Sequence, residues 1–488
     1  MMKSAREQKT VESPATTPAS TGKLPSHITR AAWAIALAAM APLLDTTMVN
    51  ISINQLGIDF QAPLDSIQWV VTGYALALAA AVPLAGWLMN KVSGKKLLMI
   101  AELAFVLTSV LAGCAWSESS LLVFRVFQGL SAGIIIPLMT TLLVRTAGKE
   151  SLGRLMAVVG TPMIIGPILG PVVGGVIVEY SSWRWIFFIN VVFGAIGLWR
   201  VQVALPADKP IDSGARMDWI GILLLAAIAV SSIYGLTGAA VHASFVNART
   251  IVFVGLALAG LVAYVFYDRM RRDATVMPLK MFRVRSFTAA SIGLFLAGLA
   301  TNGPMLLLPL FFQNVRAYSV VLAGLALLPM GVGMLAARPT IGKMIDKIGA
   351  KQVVLVSLAI SLAGSLPLIW ITSATPYWLL ALILFVRGIG IGGITMPLMS
   401  DAYMGMAPAQ VASASVATRM IQNLGGAFGS GVLATVVAMS VRTHVGADVG
   451  ALTTAYQLGF LVACIVLVLL AIPAFFLTDK ATEVRELS

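Results

Sequence analysis

Apolar runs of about 20 residues recur from Ala31 to Leu477, and short polar segments separate them. A run of that length forms a helix that crosses roughly 30 Å of hydrocarbon. We count fourteen such runs and see no alternating strands of the barrel type. The pattern therefore predicts an all-α membrane protein whose helices satisfy their own backbone hydrogen bonds. The predicted spans are 31–53, 68–89, 97–116, 120–144, 152–178, 185–205, 218–238, 250–267, 287–312, 319–341, 353–373, 376–399, 411–439 and 454–477.

The charges predict how these spans are oriented. Only 11% of the 488 residues are charged, and the formal net charge is +13. With the first 30 residues in the cytoplasm, 25 of the 33 basic residues fall in cytoplasmic segments or, for Arg154 and Arg200, at the cytoplasmic ends of spans, as the positive-inside rule requires. Both termini are therefore expected inside, and the positive charge does not indicate nucleic acid. The basic residues placed elsewhere are Arg184, Arg249, Arg316 and Arg442 in outer loops and Arg125, Arg338, Arg387 and Arg419 within spans.

Two short segments recur along the chain. The segment 86–91 resembles 342–347 at an offset of 256, and 133–139 resembles 393–399 at an offset of 260. Matches at nearly one offset indicate a duplication, which predicts parallel six-helix halves facing each other across a central cavity. The expected organisation is a disordered cytoplasmic tail (1–30), a six-helix half (31–205), two inserted helices with connectors (206–286), a second half (287–477) and a short tail (478–488).

The remaining segments are read more simply. The N-terminal tail lacks the apolar core of a signal peptide. Cys114 and Cys464 lie in separate apolar runs and predict neither a disulfide nor a metal site. The basic stretch 269–285 is expected to lie on the cytoplasmic membrane surface, either as a topological anchor, which we favour, or as a site for anionic lipid.

Ionisable residues inside spans are the candidate chemistry, because charge is costly in hydrocarbon. Asp45 in the first span is expected to bind and release a proton, although a helix-packing role is the alternative. Arg125 in the fourth span either tunes a cavity carboxylate or ties helices together. Arg387 and Arg419 are expected to tether helices, and Glu102 to reach loop residues near the cytoplasmic end.

Glycine and proline mark two further motifs. The fifth span has a small-residue stripe that permits close helix approach, with prolines that bend the helix. The stripe and its prolines are Gly160, Pro162, Gly166, Pro167, Gly170, Pro171, Gly174 and Gly175. The repeated loops are predicted to latch helix ends together in one conformation. The latch residues are Gly86, Asn90, Lys91, Gly94, Lys95, Asp346 and Lys347.

Together these motifs resemble the major facilitator superfamily, specifically its fourteen-helix drug:proton antiporters, from about Ala31 to Leu477. The segment 44–50 is similar to the first-helix signature of that family, 86–96 to its loop motif and 160–175 to its fifth-helix antiporter motif. Arg125 with Gln128 and Gly129 matches the fourth-helix motif, and 183–190 is also typical. One departure is Asn90, where the family usually has an acidic residue, so the first-half latch is expected to be weaker.

The resemblance implies export of small lipophilic or cationic toxic compounds in exchange for protons, with Asp45 and Arg125 coupling the proton. The expected cavity lining is Asn50, Trp69, Tyr74, Gln128, Met305, Phe311, Gln313, Arg419 and Asn423. Aromatic and Met side chains suit an adaptable cavity, but at helical spacing they are more often packing residues. Export of an endogenous lipid or metabolite is one alternative, and a non-transporting membrane sensor is another.

The expected partners follow from the same resemblance. They are the small-molecule substrate, protons and membrane lipids in the cell membrane, with no metal and no cofactor other than the proton. The chain is expected to be a monomer, and the sequence does not specify whether a periplasmic adaptor is needed. An enzyme is disfavoured because no catalytic group is visible and the three histidines, His27, His242 and His444, lie in tails or loops.

Overall fold

A computed structural model describes residues 26–147, 166, 169–170, 172–210, 217–271, 275–404, 406–407, 410–443 and 449–479. The regular structure of this part is helical, and thirteen of its helices are long and apolar enough to cross a membrane. They match thirteen of the fourteen predicted spans. The fifth span is described only in part, with helix at 172–180. The predicted all-α membrane fold is confirmed, and we keep the numbering of fourteen spans.

The helices extend a few residues beyond the apolar runs, because polar helix ends continue past the hydrocarbon. The first half and the inserted pair comprise Ser26–Ala38, Met40–Met48 and Val49–Ser52 (first span), Ile53–Asp59 (outside the spans), Leu64–Lys91, Gly94–Gly113, Glu118–Ala147, Arg184–Ala204, Trp219–His242 and Ala248–Met270. The second half comprises Leu279–Arg283 (a connector turn), Arg285–Asn314, Val320–Leu325 and Leu328–Ile348 (tenth span), Ala350–Ser365 and Leu366–Trp370 (eleventh), Tyr377–Gly392 and Thr395–Met404 (twelfth), Val411–Thr443 and Val449–Ala474.

The first span is interrupted at Ala39, between its first two helical pieces. Pro42 follows three residues later and has no N–H for the ladder. The carbonyl of Pro42 instead accepts bonds from Thr46 Oγ1 at 2.8 Å and from the Tyr74 hydroxyl at 3.3 Å. The break therefore fixes the turn that carries Asp45 against the second span.

The same pairs of helices pack together in the two halves. The second span packs on the fourth as the tenth packs on the twelfth, and the third on the sixth as the eleventh on the fourteenth. Gly129 meets the backbone carbonyl of Tyr74, and Gly388 meets that of Met330. A side chain at either glycine would clash with backbone, so each half depends on a close crossing of its second and fourth helices.

The halves also contact each other at the predicted cytoplasmic end. Thr141 on the fourth span donates a buried hydrogen bond of 2.8 Å to Ser415 on the thirteenth. A Cβ at Gly86 would lie 3.0 Å from Val416 of the opposite half and 3.2 Å from Val276 of the connector. This end of the interface is closed.

The basic connector before the second half is packed into the protein. Val276, Met277 and Met281 are buried. Asp218 accepts from the N–H of Val276 at 3.2 Å, and the Tyr264 hydroxyl donates to the Met277 carbonyl at 3.1 Å. The described part of the stretch is therefore packed into the protein through its apolar side chains. That its basic residues lie on the membrane surface stays a prediction.

Candidate functional site: a buried ion pair beside a cavity between the halves

Asp45 and Arg125 form a salt bridge in the first half, and both side chains are excluded from solvent. Asn190 of the sixth span donates a hydrogen bond of 2.8 Å to the other carboxylate oxygen of Asp45. A buried charge requires both a counter-charge and hydrogen bonds to offset its lost hydration. Three spans thus converge on one carboxylate.

Arg125 has further neutral partners that hold it in place without Asp45. Its Nε donates to the Val70 carbonyl at 3.3 Å, and its Nη1 to Gln128 Oε1 at 2.8 Å. The guanidinium carbon lies 3.9 Å from the centre of the Tyr74 ring, a cation–π contact. Gln128 in turn donates to Ser109 at 2.6 Å. The cation is fixed to the second, third and fourth spans, whereas the carboxylate belongs to the first.

A cavity of about 290 Å³ lies between the halves, on the far side of the Thr141–Ser415 contact from the predicted cytoplasmic end. Asp45 does not line it, but the next two residues, Thr46 and Thr47, do. The ion pair therefore lies directly behind the cavity wall. The described lining is Leu43, Thr46, Thr47 and Ile136 of the first half and Ala297, Gly298, Thr301, Asn302, Met305, Met330, Met334, Arg338, Arg387, Ile391, Gly392, Thr395, Arg419, Gln422 and Asn423 of the second.

The second half supplies three arginines to this wall. Arg387 is buried and donates to Ser365 at 3.1 Å and to the Ala300 carbonyl at 3.3 Å. Arg419 donates to Gln422 at 3.2 Å. Arg387 thus tethers three helices, as the sequence predicted, and it also faces the cavity together with Arg338 and Arg419.

Of the nine predicted cavity residues, Met305, Arg419 and Asn423 lie in the cavity wall. The structure places the other six elsewhere, because which face of a helix meets the interface is decided by tertiary packing. Tyr74 and Gln128 are buried around Arg125, and Phe311 packs in an aromatic cluster with Phe312, Tyr456 and Phe460. Trp69 contacts Tyr234 of the inserted helices, and Asn50 and Gln313 lie outside the described lining.

The glycine stripe of the fifth span faces the first span. A Cβ at Gly166 would lie 2.9 Å from the Leu43 carbonyl, and one at Gly174 would lie 3.2 Å from the Met48 carbonyl. A Cβ at Gly170 would clash with the Thr47 side chain, and one at Gly175 would lie 2.8 Å from Val321 of the second half. The stripe therefore brings the fifth span against the turns that hold Asp45. Gly160, Pro162, Pro167 and Pro171 lie outside the described residues.

The first-half latch has an acidic partner that the sequence motif does not contain. Asp208, in the segment after the sixth span, accepts from the N–H of Gly94 at 2.6 Å and from that of Lys95 at 3.0 Å. The Lys95 ammonium donates to the Leu205 carbonyl at 2.7 Å. These contacts place a carboxylate at the N-terminus of the third span, where the helix dipole favours it.

The other latch residues are in varied surroundings. Gly86 lies against Val416, and the Asn90 side-chain oxygen is buried without a hydrogen-bond partner among the described residues. Lys91 and Lys347 are exposed. The side chain of Asp346 lies outside the described part, so the role predicted for it stays a prediction.

Glu102 is not where the sequence placed it. Its side chain is 1% exposed, and neither carboxyl oxygen has a hydrogen-bond partner among the described residues. A Cβ at Gly194 of the sixth span would lie 3.2 Å from one of these oxygens. The prediction that Glu102 reaches loop residues is wrong, because the third and sixth spans close over it.

Asn190 and Asp208 are functional candidates that sequence reasoning missed. Asn190 lies in the 183–190 segment, which is typical of the resembled family but does not by itself indicate Asp45 as a partner. An asparagine seven residues into an apolar span was the available signal. Asp208 lies in a loop, where no sequence pattern marks it as a candidate.

Comparisons with known proteins agree with this architecture. The sequence profile of the Major Facilitator Superfamily matches residues 35–430. The chain is 30% identical to the Multidrug resistance protein B homolog of Mycobacterium tuberculosis over 95% of this chain and 92% of that one. It is 27% identical to the Multidrug export protein EmrB of Escherichia coli, over 82% and 78%. The solved structure of the proton:xylose symporter XylE has the same fold, with a TM-score of 0.61, 16% identity, and 90% and 95% of the two chains covered.

Proposed function

Because this chain belongs to the Major Facilitator Superfamily, we propose that it is a proton-coupled antiporter that exports small lipophilic compounds by alternating access. The chain is a multi-pass protein of the cell membrane and a transporter rather than an enzyme. Multidrug export by its relatives supports the substrate class. The observation that carries the proposal is the buried Asp45–Arg125 pair directly behind the cavity wall.

The coupling step follows from the contacts of the pair. Binding of a proton neutralises Asp45 and removes its attraction for Arg125. The guanidinium retains Val70, Gln128 and the Tyr74 ring, so the partner that is released is the first span. Since Thr46 and Thr47 of that span line the cavity, its displacement changes the shape of the cavity. Proton occupancy and substrate access are thereby linked.

Asp45 is completely buried in this conformation, so proton exchange belongs to other steps of the cycle. The first span must separate from the fourth before water reaches the carboxylate. The fifth-span glycines let the first span lie close without side chains of their own, and the hydrogen bond of 3.3 Å from the Thr47 hydroxyl to the Gly166 carbonyl must break during such a movement. A site that opens only during the transition prevents protons from leaking through a stationary protein.

The charge of the cavity narrows the substrate class. The sequence-based expectation included cationic compounds. Arginines project into the wall, and none of the described lining residues is acidic. A cationic substrate would meet repulsion in that half, so the proposal keeps the lipophilic class alone.

The test uses proteoliposomes that contain the purified protein and a lipophilic dye. An imposed pH gradient should drive dye transport, and a protonophore should abolish it. Asp45→Asn should lose gradient-driven transport yet retain dye-for-dye exchange, which needs no net proton movement. Arg316→Gln, whose guanidinium contacts the Thr375 carbonyl in an outer loop, is the matched control and should behave as wild type. Full gradient-driven transport by Asp45→Asn would overturn the proposed coupling.

A further inference from the structure

The two halves carry related versions of one polar site. The offset of 256 maps Tyr74 onto Met330 and Ser109 onto Ser365. Gly129 and Gly388 occupy the same place in the helix crossing of their halves and lie 259 positions apart. An offset of 259 in the fourth helix of each half maps Gln128 onto Arg387. Arg387 therefore stands at the repeat position of a neutral glutamine.

The contacts at these positions correspond. Gln128 donates to Ser109 at 2.6 Å, and Arg387 donates to Ser365 at 3.1 Å. Arg387 also lies 3.1 Å from the sulfur of Met330, which stands at the repeat position of Tyr74, the residue whose ring contacts Arg125 in the first half. The duplicated surroundings are thus retained around a different charge.

The ion pair is not duplicated. Asp45 maps onto Thr301, and Arg125 maps onto Leu384. The first half has an acid and a base that neutralise each other, whereas the second half has a base, Arg387, whose hydrogen-bond partners in the described part of the chain are neutral. A cation inside a membrane protein without a counter-charge marks a pathway for a substrate or ion.

Two further cations point to the same place. Arg338 and Arg419 line the cavity, and the Nε of each is buried without a hydrogen-bond partner in the described part of the chain. Residues 151–171, most of which are outside the described part, contain neither Asp nor Glu. The fifth span therefore cannot supply a carboxylate from this stretch.

We propose that the arginines of the second half, Arg338, Arg387 and Arg419, form a site for the anionic group of an amphipathic substrate. Guanidinium forks match the planar oxygens of carboxylate, sulfonate and phosphate. Met305, Met330 and Met334 in the same wall provide an adaptable apolar surface for the rest of the molecule. This inference rests on the proposed export function and names the chemistry of its substrate.

Binding to the purified protein in phosphatidylcholine nanodiscs tests the site by calorimetry. The probes are 1-naphthalenesulfonate and trimethyl-1-naphthylammonium, which share a ring system and differ in charge. We expect the sulfonate to bind at least about tenfold more tightly, since only the sulfonate accepts charge-assisted hydrogen bonds from the guanidinium groups. Equal or tighter binding of the ammonium probe would overturn the proposal.

The variants separate charge from packing. Arg338→Gln, Arg387→Gln and Arg419→Gln should each weaken sulfonate binding about tenfold, whereas Arg419→Lys, which keeps the charge, should retain most of it. Arg316→Gln should not change it. Arg338 and Arg419 are only half-buried, so they keep the test decisive if Arg387→Gln does not fold. Unchanged sulfonate affinity in the glutamine variants would exclude the site.

Two further measurements identify the source of the anion and distinguish failure of this inference from failure of the proposed coupling. If phosphatidylglycerol in the nanodisc competes with the sulfonate, the occupant is a lipid headgroup; if it does not compete, the occupant is a free amphiphile. Either result supports an anion site, provided that the glutamine variants weaken sulfonate binding. Gradient-driven transport of a neutral dye is measured on the same protein. If the wild-type protein transports the dye but does not bind the sulfonate, this inference alone is wrong. If it binds the sulfonate but shows no gradient-driven dye transport, only the coupling scheme is wrong.

Discussion

At the scale of residues, the first half depends on one carboxylate held by three helices. Arg125 donates to Asp45 Oδ2, and Asn190 donates to Oδ1 at 2.8 Å. The sequence predicts that an intramembrane Asp and Arg matter, because both are costly in hydrocarbon. It does not predict that they meet, since they lie 80 positions apart and their pairing depends on how the first and fourth spans cross.

The pair should show strong thermodynamic coupling. Asp45→Asn leaves the guanidinium buried without its counter-charge, which costs about 3–5 kcal/mol. Adding Arg125→Gln removes the orphaned charge and should recover much of this loss. Thermal unfolding of the purified variants measures both steps. Additive losses in the double variant would show that the two side chains do not interact.

For Glu102 we expect the opposite result, a substitution that costs little stability. Its carboxyl is buried without a described partner, so an amide of the same shape replaces it without breaking any contact that we observe. Glu102→Gln should therefore shift the thermal midpoint little, in contrast to Asp45→Asn. Transport by this variant should also remain coupled. A loss of coupling would instead show that Glu102 exchanges a proton during the cycle.

At the scale of elements, hydropathy predicts where helices lie but not which faces they present. Twenty apolar residues can satisfy the backbone only as a helix, so thirteen described spans fall where they were predicted. Tyr74 and Phe311 were expected in the cavity and instead pack inside one half. A membrane helix is apolar on every side, so its hydropathy pattern does not predict which face points into the protein.

The contact between the first and fifth spans can be tested with a side chain of minimal size. Gly170→Ala should impair transport, because its Cβ clashes with the Thr47 side chain. Thr47→Ala removes the clashing hydroxyl and should partly rescue the variant. Gly255→Ala is the control, since a Cβ there meets nothing within 4 Å. Transport rates normalised to protein in the membrane provide the readout, and wild-type activity in Gly170→Ala would argue against close sliding.

At the scale of the whole molecule, the duplication in the sequence anticipates two halves with matching helix pairs. The contact that closes them is not anticipated, because Thr141 and Ser415 are common residues with no motif around them. Their hydroxyl oxygens lie 2.8 Å apart across the interface. The closed end is thus held by short side chains that can part without a large cost.

A cross-link at this contact should trap the closed conformation. Thr141→Cys with Ser415→Cys, in a background where Cys114 and Cys464 are replaced, should form a disulfide under oxidising conditions. Oxidation should stop dye transport, and reduction should restore it. Each single cysteine variant should be insensitive to oxidant. Undiminished transport by the fully cross-linked protein would mean that this end does not open.

The inserted helix Trp219–His242 packs against both the second and the thirteenth spans, which belong to opposite halves. If the two halves tilt against each other, as proposed, this helix cannot keep all of its contacts with both of them. One of the two contacts must then slide. On the thirteenth span, Gly431 has no side chain toward the inserted helix, and a Cβ added there would lie 3.1 Å from Leu236. On this side of the molecule the inserted helix covers the interface between the halves, so a compound dissolved in the bilayer would have to enter the cavity by another route.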